Sequence, residues 1–109
     1  DLAWLAGQAL EGKQLYYWGD LDTWGLAMLA RARQLRPNLQ AVMMTQEIFT
    51  DYADFAVHEP QRAGRFDLSS LMASEQKLFN HLQQQEKGRL EQEFIPLERV
   101  HAEIEEQIT

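Results

Sequence analysis

The chain has 109 residues, no cysteine, and 17 acidic against 10 basic side chains, a formal charge of −7. That length holds one small domain. The lack of cysteine excludes disulfides, thiolate zinc sites and cysteine nucleophiles and suits a cytoplasmic location, and no apolar run approaches the roughly 18 residues of a membrane span. For a whole protein the acidic balance disfavours nucleic-acid binding, because phosphate contacts come mainly from Lys and Arg. Asp1 is not a methionine, however, and no signal-like segment comes after it, so the sequence reads as a piece cut from a longer protein.

Leu2, Leu5 and Ala9 recur at spacings of three and four, which predicts a short amphipathic helix stopped by Gly12. The period then changes. Gln14 to Trp18 is a compact aromatic run of high strand propensity, ended by Gly19 and Asp20, and predicts a buried strand. From Thr23 the helical period returns, with Gly25, Met28, Leu29, Ala32 and Leu35 on one face, Asp22 or Thr23 as the cap, and Pro37-Asn38 as the stop. Leu39 to Met44 is the next strand. Strand, helix and strand make a βαβ unit, whose parallel strands require a right-handed crossover.

Glu47 to Phe55 predicts a helix, and Glu59-Pro60 to Asp67, with Gly64 and several charges, an exposed loop. The rest reads as helical from Ser74. Leu78, Phe79 and Leu82 line one helix, Gly88 interrupts, Leu90, Phe94 and Ile95 line a shorter piece, and Pro96 opens a last helix striped by Leu97, Val100, Ile104 and Ile108. The fold class is α/β: a partial, Rossmann-like parallel sheet with flanking helices and a helical C-terminal extension. Residues 1–67 form its βαβ part and residues 68–109 its helical part. Two parallel strands are too few for an independent sheet, so further strands are expected from outside the chain.

Trp18-Gly19-Asp20-Leu21-Asp22-Thr23-Trp24-Gly25 lies where a strand meets a helix, the end of an α/β sheet at which ligands gather and the helix dipole is positive. Two aspartates at i and i+2 on an extended turn reach one hard cation, and carboxylate oxygens with retained waters suit Mg²⁺ and phosphoryl transfer. The competing explanation is a helix cap without chemistry. Two metal chemistries also compete: a haloacid-dehalogenase phosphatase, whose first Asp is the nucleophile but which normally has Gly-Thr where Thr23-Trp24 stands, and a Toprim site, whose Asp pair is completed by a glutamate on an earlier strand.

Tyr17-Trp18-Gly19-Asp20-Leu21-Asp22-x-x-Gly25, a Leu-Arg segment before Pro37, Met43-Met44, and Arg89-Leu90-Glu91-Gln92-Glu93-x-Ile95 succeed one another in an order that resembles the C-terminal Toprim region of the JetD subunits of Wadjet anti-plasmid defence systems. The turn is also similar to that of topoisomerase VI A subunits. The resemblance covers nearly the whole chain. It implies a Toprim-like fold and a Mg²⁺-dependent DNA endonuclease that acts on double-stranded plasmid DNA as a homodimer, recruited by an SMC complex. Asp20 and Asp22 are then metal ligands and catalytic residues, with Gly19 and Gly25 permitting the tight turn. The third acidic ligand is expected some 20 to 40 residues upstream of Asp1, from the length of a βα unit, which would leave the fragment inert alone. Relatives usually carry His where Trp24 stands and Asp where Thr45 stands.

Glu91 and Glu93 match the family's Leu-Glu-Gln-Glu motif; on a helix they point roughly 200° apart, so at most one joins the site, as an outer group orienting ligands or waters, and an acidic surface is the simpler account. Arg31, Arg33 and Arg36 are explained by the helix dipole, whereas Arg62 and Arg65 are candidate DNA contacts. His58, His81 and His101 lack ligand spacing, and Trp4, Trp18 and Trp24 read as core or interface anchors. Lys13, Lys77 and Lys87 have no phosphate-loop context. The alternative to a nuclease is a catalytically silent DNA-binding or partner-docking module.

Overall fold

In the computed structural model, which describes residues 14–108, Tyr16–Tyr17 (β1) leads through a turn into Thr23–Leu35 (α1) and back to Gln40–Ala41 (β2). The two strands are parallel, with Tyr16 opposite Gln40 and Tyr17 opposite Ala41. The βαβ reading is therefore realised in a small α/β domain, and the predicted helix at residues 2–12, with Trp4, lies outside the described residues. Both strands are far shorter than their apolar runs. β2 stops because Met43 takes a left-handed conformation, φ 67°, turning the chain so that Met43 and Met44 both drop into the core. Flexible thioether side chains suit such an irregular space. Nor is β1 buried: Tyr16 is exposed and Tyr17 only partly covered.

α1 begins where Asp22 caps it, but its buried face is rotated from the predicted one. Leu26, Leu29, Ala30 and Ala32 are inside, while Met28 and Leu35 are exposed. After β2 come Gln46–Asp51 (α2), capped by Thr45, whose Oγ1 accepts the Ile48 N–H, and a 3-10 turn at Ala53–Phe55. Ala73–Gln84 (α3) packs Leu78, Phe79 and Leu82 inward as its periodicity requires. Leu97–Ile108 (α4) starts at Pro96, whose carbonyl accepts the N–H groups of Arg99 and Val100. Of its apolar stripe, Val100 is buried and Leu97 exposed. Each fully buried leucine contributes about 2 kcal/mol, so Leu26, Leu29, Leu78 and Leu82 make the α1–α3 contact a main source of stability.

The segment predicted as an exposed loop, residues 59–67, folds back against the start of α1, with Glu59 and Ala63 buried. Arg62 is spent on the end of α3, its guanidinium donating to the carbonyls of Leu82 and Gln85, which have no i+4 donor from the helix. Arg33 is not a surface cation favoured by a dipole; it is buried and paired with Glu75 of α3. Arg99 joins α4 to α2 through Asp51 (2.9 Å) and Glu47 (3.2 Å). No helix among the described residues is long and apolar enough to cross a membrane.

Candidate metal centre

Asp20, Leu21 and Asp22 form a tight step between β1 and α1, closed by Asp22 N–H donating to Asp20 O at 3.0 Å. Leu21 pairs with Leu90 in an antiparallel bridge, Leu21 N to Leu90 O at 2.9 Å and Leu90 N to Leu21 O at 3.0 Å, and its side chain is fully buried. With the middle residue turned into the core, the Asp20 and Asp22 carboxylates both lie against the Arg89 guanidinium.

Each carboxylate is oriented by a backbone donor. Gly25 N–H donates to Asp22 Oδ1 at 2.6 Å, the N-cap bond of α1, and Gln92 N–H donates to Asp20 Oδ1 at 2.9 Å. Gln92 also donates through its side chain to Trp18 O at 2.8 Å, fastening the C-terminal segment to the strand end. The Oδ2 atoms are left facing one cation: Arg89 Nη2 is 3.7 Å from Asp20 Oδ2, and Arg89 Nε is 3.6 Å from Asp22 Oδ2. Besides its N–H bond to Asp22, Gly25 is held on two further sides, since Tyr17 Oη donates to its carbonyl at 2.9 Å and a Cβ there would lie 2.0 Å from Asp20 O.

Glu59, absent from the sequence-based site, sits behind this turn. It is 2% exposed, its Oε1 accepts from Thr23 Oγ1 at 2.8 Å, and its Oε2 accepts from Trp24 N at 3.4 Å. A buried carboxylate at a helix N-terminus is favoured by the dipole and satisfies donors the helix cannot. Nothing local in Val57-His58-Glu59-Pro60 signals this. Trp24 itself is exposed, its indole N–H donating to Gln61 O at 2.6 Å.

Glu91 and Glu93 are not on an α-helix: Glu91 is extended, and Glu93 lies in a 3-10 turn at Gln92–Phe94. Among the described residues no three His, Asp or Glu side chains converge as a metal cage, so the motif's contribution to the aspartate pair comes through Arg89 and the Gln92 backbone. His58 ring nitrogen meets Glu86 O, and His81 packs edge-on against Phe49.

Burial pushes the Asp22 carboxyl up to about 6; the charges of Glu59 and Asp20 push the same way, against the Gly25 N–H and Arg89. Tyr17 is pushed up to about 12, first by burial and then by the two aspartates, so its hydroxyl remains a donor. An acid whose folded pKa lies above its unfolded value binds more protons when folded. Its contribution to stability is therefore full at low pH and lost as pH rises from about 4 to about 6, by at most about 3 kcal/mol. Asn at position 22 keeps the capping oxygen without the charge. Asp22→Asn is expected to be about 1 to 2 kcal/mol more stable than the natural domain at pH 7, with the difference vanishing near pH 4. Urea denaturation of both proteins across that range checks this; parallel curves would show that the Asp22 charge is not strained.

The donor set fits a hard divalent ion. Two carboxylate oxygens with fixed directions face the same space, both already near a cation, and Mg²⁺ characteristically takes one or two carboxylates and keeps waters. Fold and site together define an α/β domain carrying a carboxylate pair between a strand and a helix N-terminus. The chain belongs to the family of Wadjet protein JetD C-terminal regions, whose model matches residues 1–104. It is thus part of a component of a Wadjet anti-plasmid system, a multi-subunit defence complex. No curated protein matches the chain.

Proposed function

We propose that this domain supplies the Asp20–Asp22 part of a Toprim-type, Mg²⁺-dependent site that cleaves double-stranded plasmid DNA, in a protein that works as a homodimer with SMC-complex partners. The observation that carries this reading is the orientation of the pair: backbone N–H groups of Gly25 and Gln92 hold the Oδ1 atoms, which turns both Oδ2 atoms to one side. Bound there, Mg²⁺ would offset charge on the scissile phosphate and lower the pKa of a bound water. The chain's own part is to hold the two oxygens in register: Leu21 anchors the step in the core, and Tyr17 and Gly25 hold the helix start against it. Preorganised ligands need no rearrangement during reaction, which is where such a site gains its rate.

Asp20→Asn and Asp22→Asn, made singly in the full-length protein, are each expected to lower Mg²⁺-dependent plasmid cleavage at least about 100-fold, the effect of losing a few kcal/mol of charge stabilisation. Cleavage within threefold of the natural protein would overturn the proposal. The second reading, a silent DNA-binding or docking module, is favoured by one observation, the Arg89 guanidinium standing between the carboxylates. It predicts no Mn²⁺ binding that depends on Asp20.

A further inference from the structure

The arginines that hold the fold together end in hydrogen bonds. Arg33 donates to Leu39 O and Ser70 O, each at 3.0 Å, besides its pairing with Glu75. Arg62 is bound to two carbonyls and Arg99 to three carboxylates. Arg89 differs. Its guanidinium lies 3.6 and 3.7 Å from the two aspartates, beyond hydrogen-bond length, and its Nε is buried with no hydrogen-bond partner.

The backbone beneath it is clamped. Arg89 N donates to Val57 O at 3.0 Å, Val57 N donates to Arg89 O at 2.8 Å, and Leu90 is paired in both directions with Leu21 between the two aspartates. A firmly placed stem thus carries a loosely held head. Leaving a buried donor unpaired is costly, and a guanidinium satisfied by geometry alone would sit closer to one carboxylate. The position between both, touching neither, is that of a counter-charge.

We propose that Arg89 is the resident counter-cation of Asp20 and Asp22, displaced by a divalent ion that takes the same two Oδ2 atoms, and that the displaced guanidinium then binds phosphodiester oxygens. The inference rests on the metal-site reading above. Two carboxylates side by side in a turn that also holds the buried Glu59 repel one another, and Arg89 is the cation that lies within 4 Å of both in the metal-free protein. An ion between them makes the guanidinium's charge surplus. Its planar fork matches two phosphate oxygens, and with about a third of the side chain exposed it has access to them.

The test is Mn²⁺ binding by the full-length protein without DNA, and then binding of a DNA duplex at saturating Mn²⁺. Removing a competing cation from a partly buried site predicts that Arg89→Gln binds Mn²⁺ roughly tenfold more tightly and metal-loaded DNA roughly tenfold more weakly. Arg89→Lys keeps the charge but not the fork, and is expected to retain the natural Mn²⁺ affinity while losing DNA affinity. Unchanged or weaker Mn²⁺ binding by Arg89→Gln would overturn the inference, as a purely structural role predicts. If Asp20→Asn binds Mn²⁺ as the natural protein does, the metal site itself is wrong; if Asp20→Asn loses Mn²⁺ but Arg89→Gln does not gain it, only the role of Arg89 is. In the natural protein the Arg89 Nε–H resonance should move on adding Mg²⁺, a readout independent of any variant's folding. A resonance that stays in place refutes the exchange.

Discussion

Gly25→Ala is expected to destabilise the domain by about 3 kcal/mol, although alanine is the better helix former. The two effects have opposite signs, and their sizes decide the outcome. Alanine inside a helix gains about 1 kcal/mol over glycine. Against this, the added Cβ would stand 2.0 Å from Asp20 O and 3.2 Å from Asp22 Oδ1. The first contact is with backbone, which has no rotamer by which to withdraw. Relief requires the first turn of α1 to move off the Asp20 carbonyl, and that motion also strains the Asp22 cap and the Tyr17 bond to the Gly25 carbonyl. Gly64→Ala is the control, because a Cβ there meets nothing within 4 Å. Urea denaturation of the two variants checks the claim, and equal midpoints would refute it. A Gly25→Ala protein that folds is expected to have lost the common direction of Asp20 and Asp22.

Glu75→Ala carries a comparable expectation, a loss of about 3 to 5 kcal/mol, because it leaves the buried Arg33 charge without its partner. Arg33 and Glu75 are 7% and 5% exposed, and the pair does more than join α1 to α3. Arg33 reaches Leu39 O just before β2 and Ser70 O before α3, while Glu75 accepts the Met72 N–H at 2.8 Å to start that helix. Replacing both residues together, Arg33→Met with Glu75→Leu, removes the desolvation cost along with the attraction and is expected to be within about 1 to 2 kcal/mol of the natural domain. Thermal or urea melts of the single and double variants form the cycle. A Glu75→Ala loss below about 1 kcal/mol would mean that water reaches Arg33.

The two halves of this chemistry were unequally legible in the sequence. Asp20, Asp22 and Gly25 could be read because the signal is local: an aromatic strand run, an i and i+2 acidic pair and a helix period meet within a short stretch of chain. Arg89 could be read only as part of a resemblance, with no role, since 67 positions separate it from Asp22 and tertiary contacts, the Leu21–Leu90 bridge and the Gln92 hydrogen bonds, bring them together. Glu59 carried no signal at all. Its neighbours Pro60, Gln61 and Arg62 have loop composition, and the same letters that suggest solvent exposure here satisfy helix ends: Glu59 the start of α1, Arg62 the finish of α3.

By itself the sequence determined the features that short-range periodicity and chain stiffness dictate: where α1, α3 and α4 begin, that β1 and β2 enclose a helix and run parallel, and that an acidic pair stands at the strand-to-helix turn. Tertiary structure alone decided which charges are inside. Arg33, Glu59 and Glu75 are polar letters whose burial depends on a partner 36 to 42 positions away, and a buried charge is tolerable only where that partner is in place. It also decided what faces the aspartates. Charge compensation is a property of distance in space, and the guanidinium that balances Asp20 and Asp22 comes from the far end of the chain.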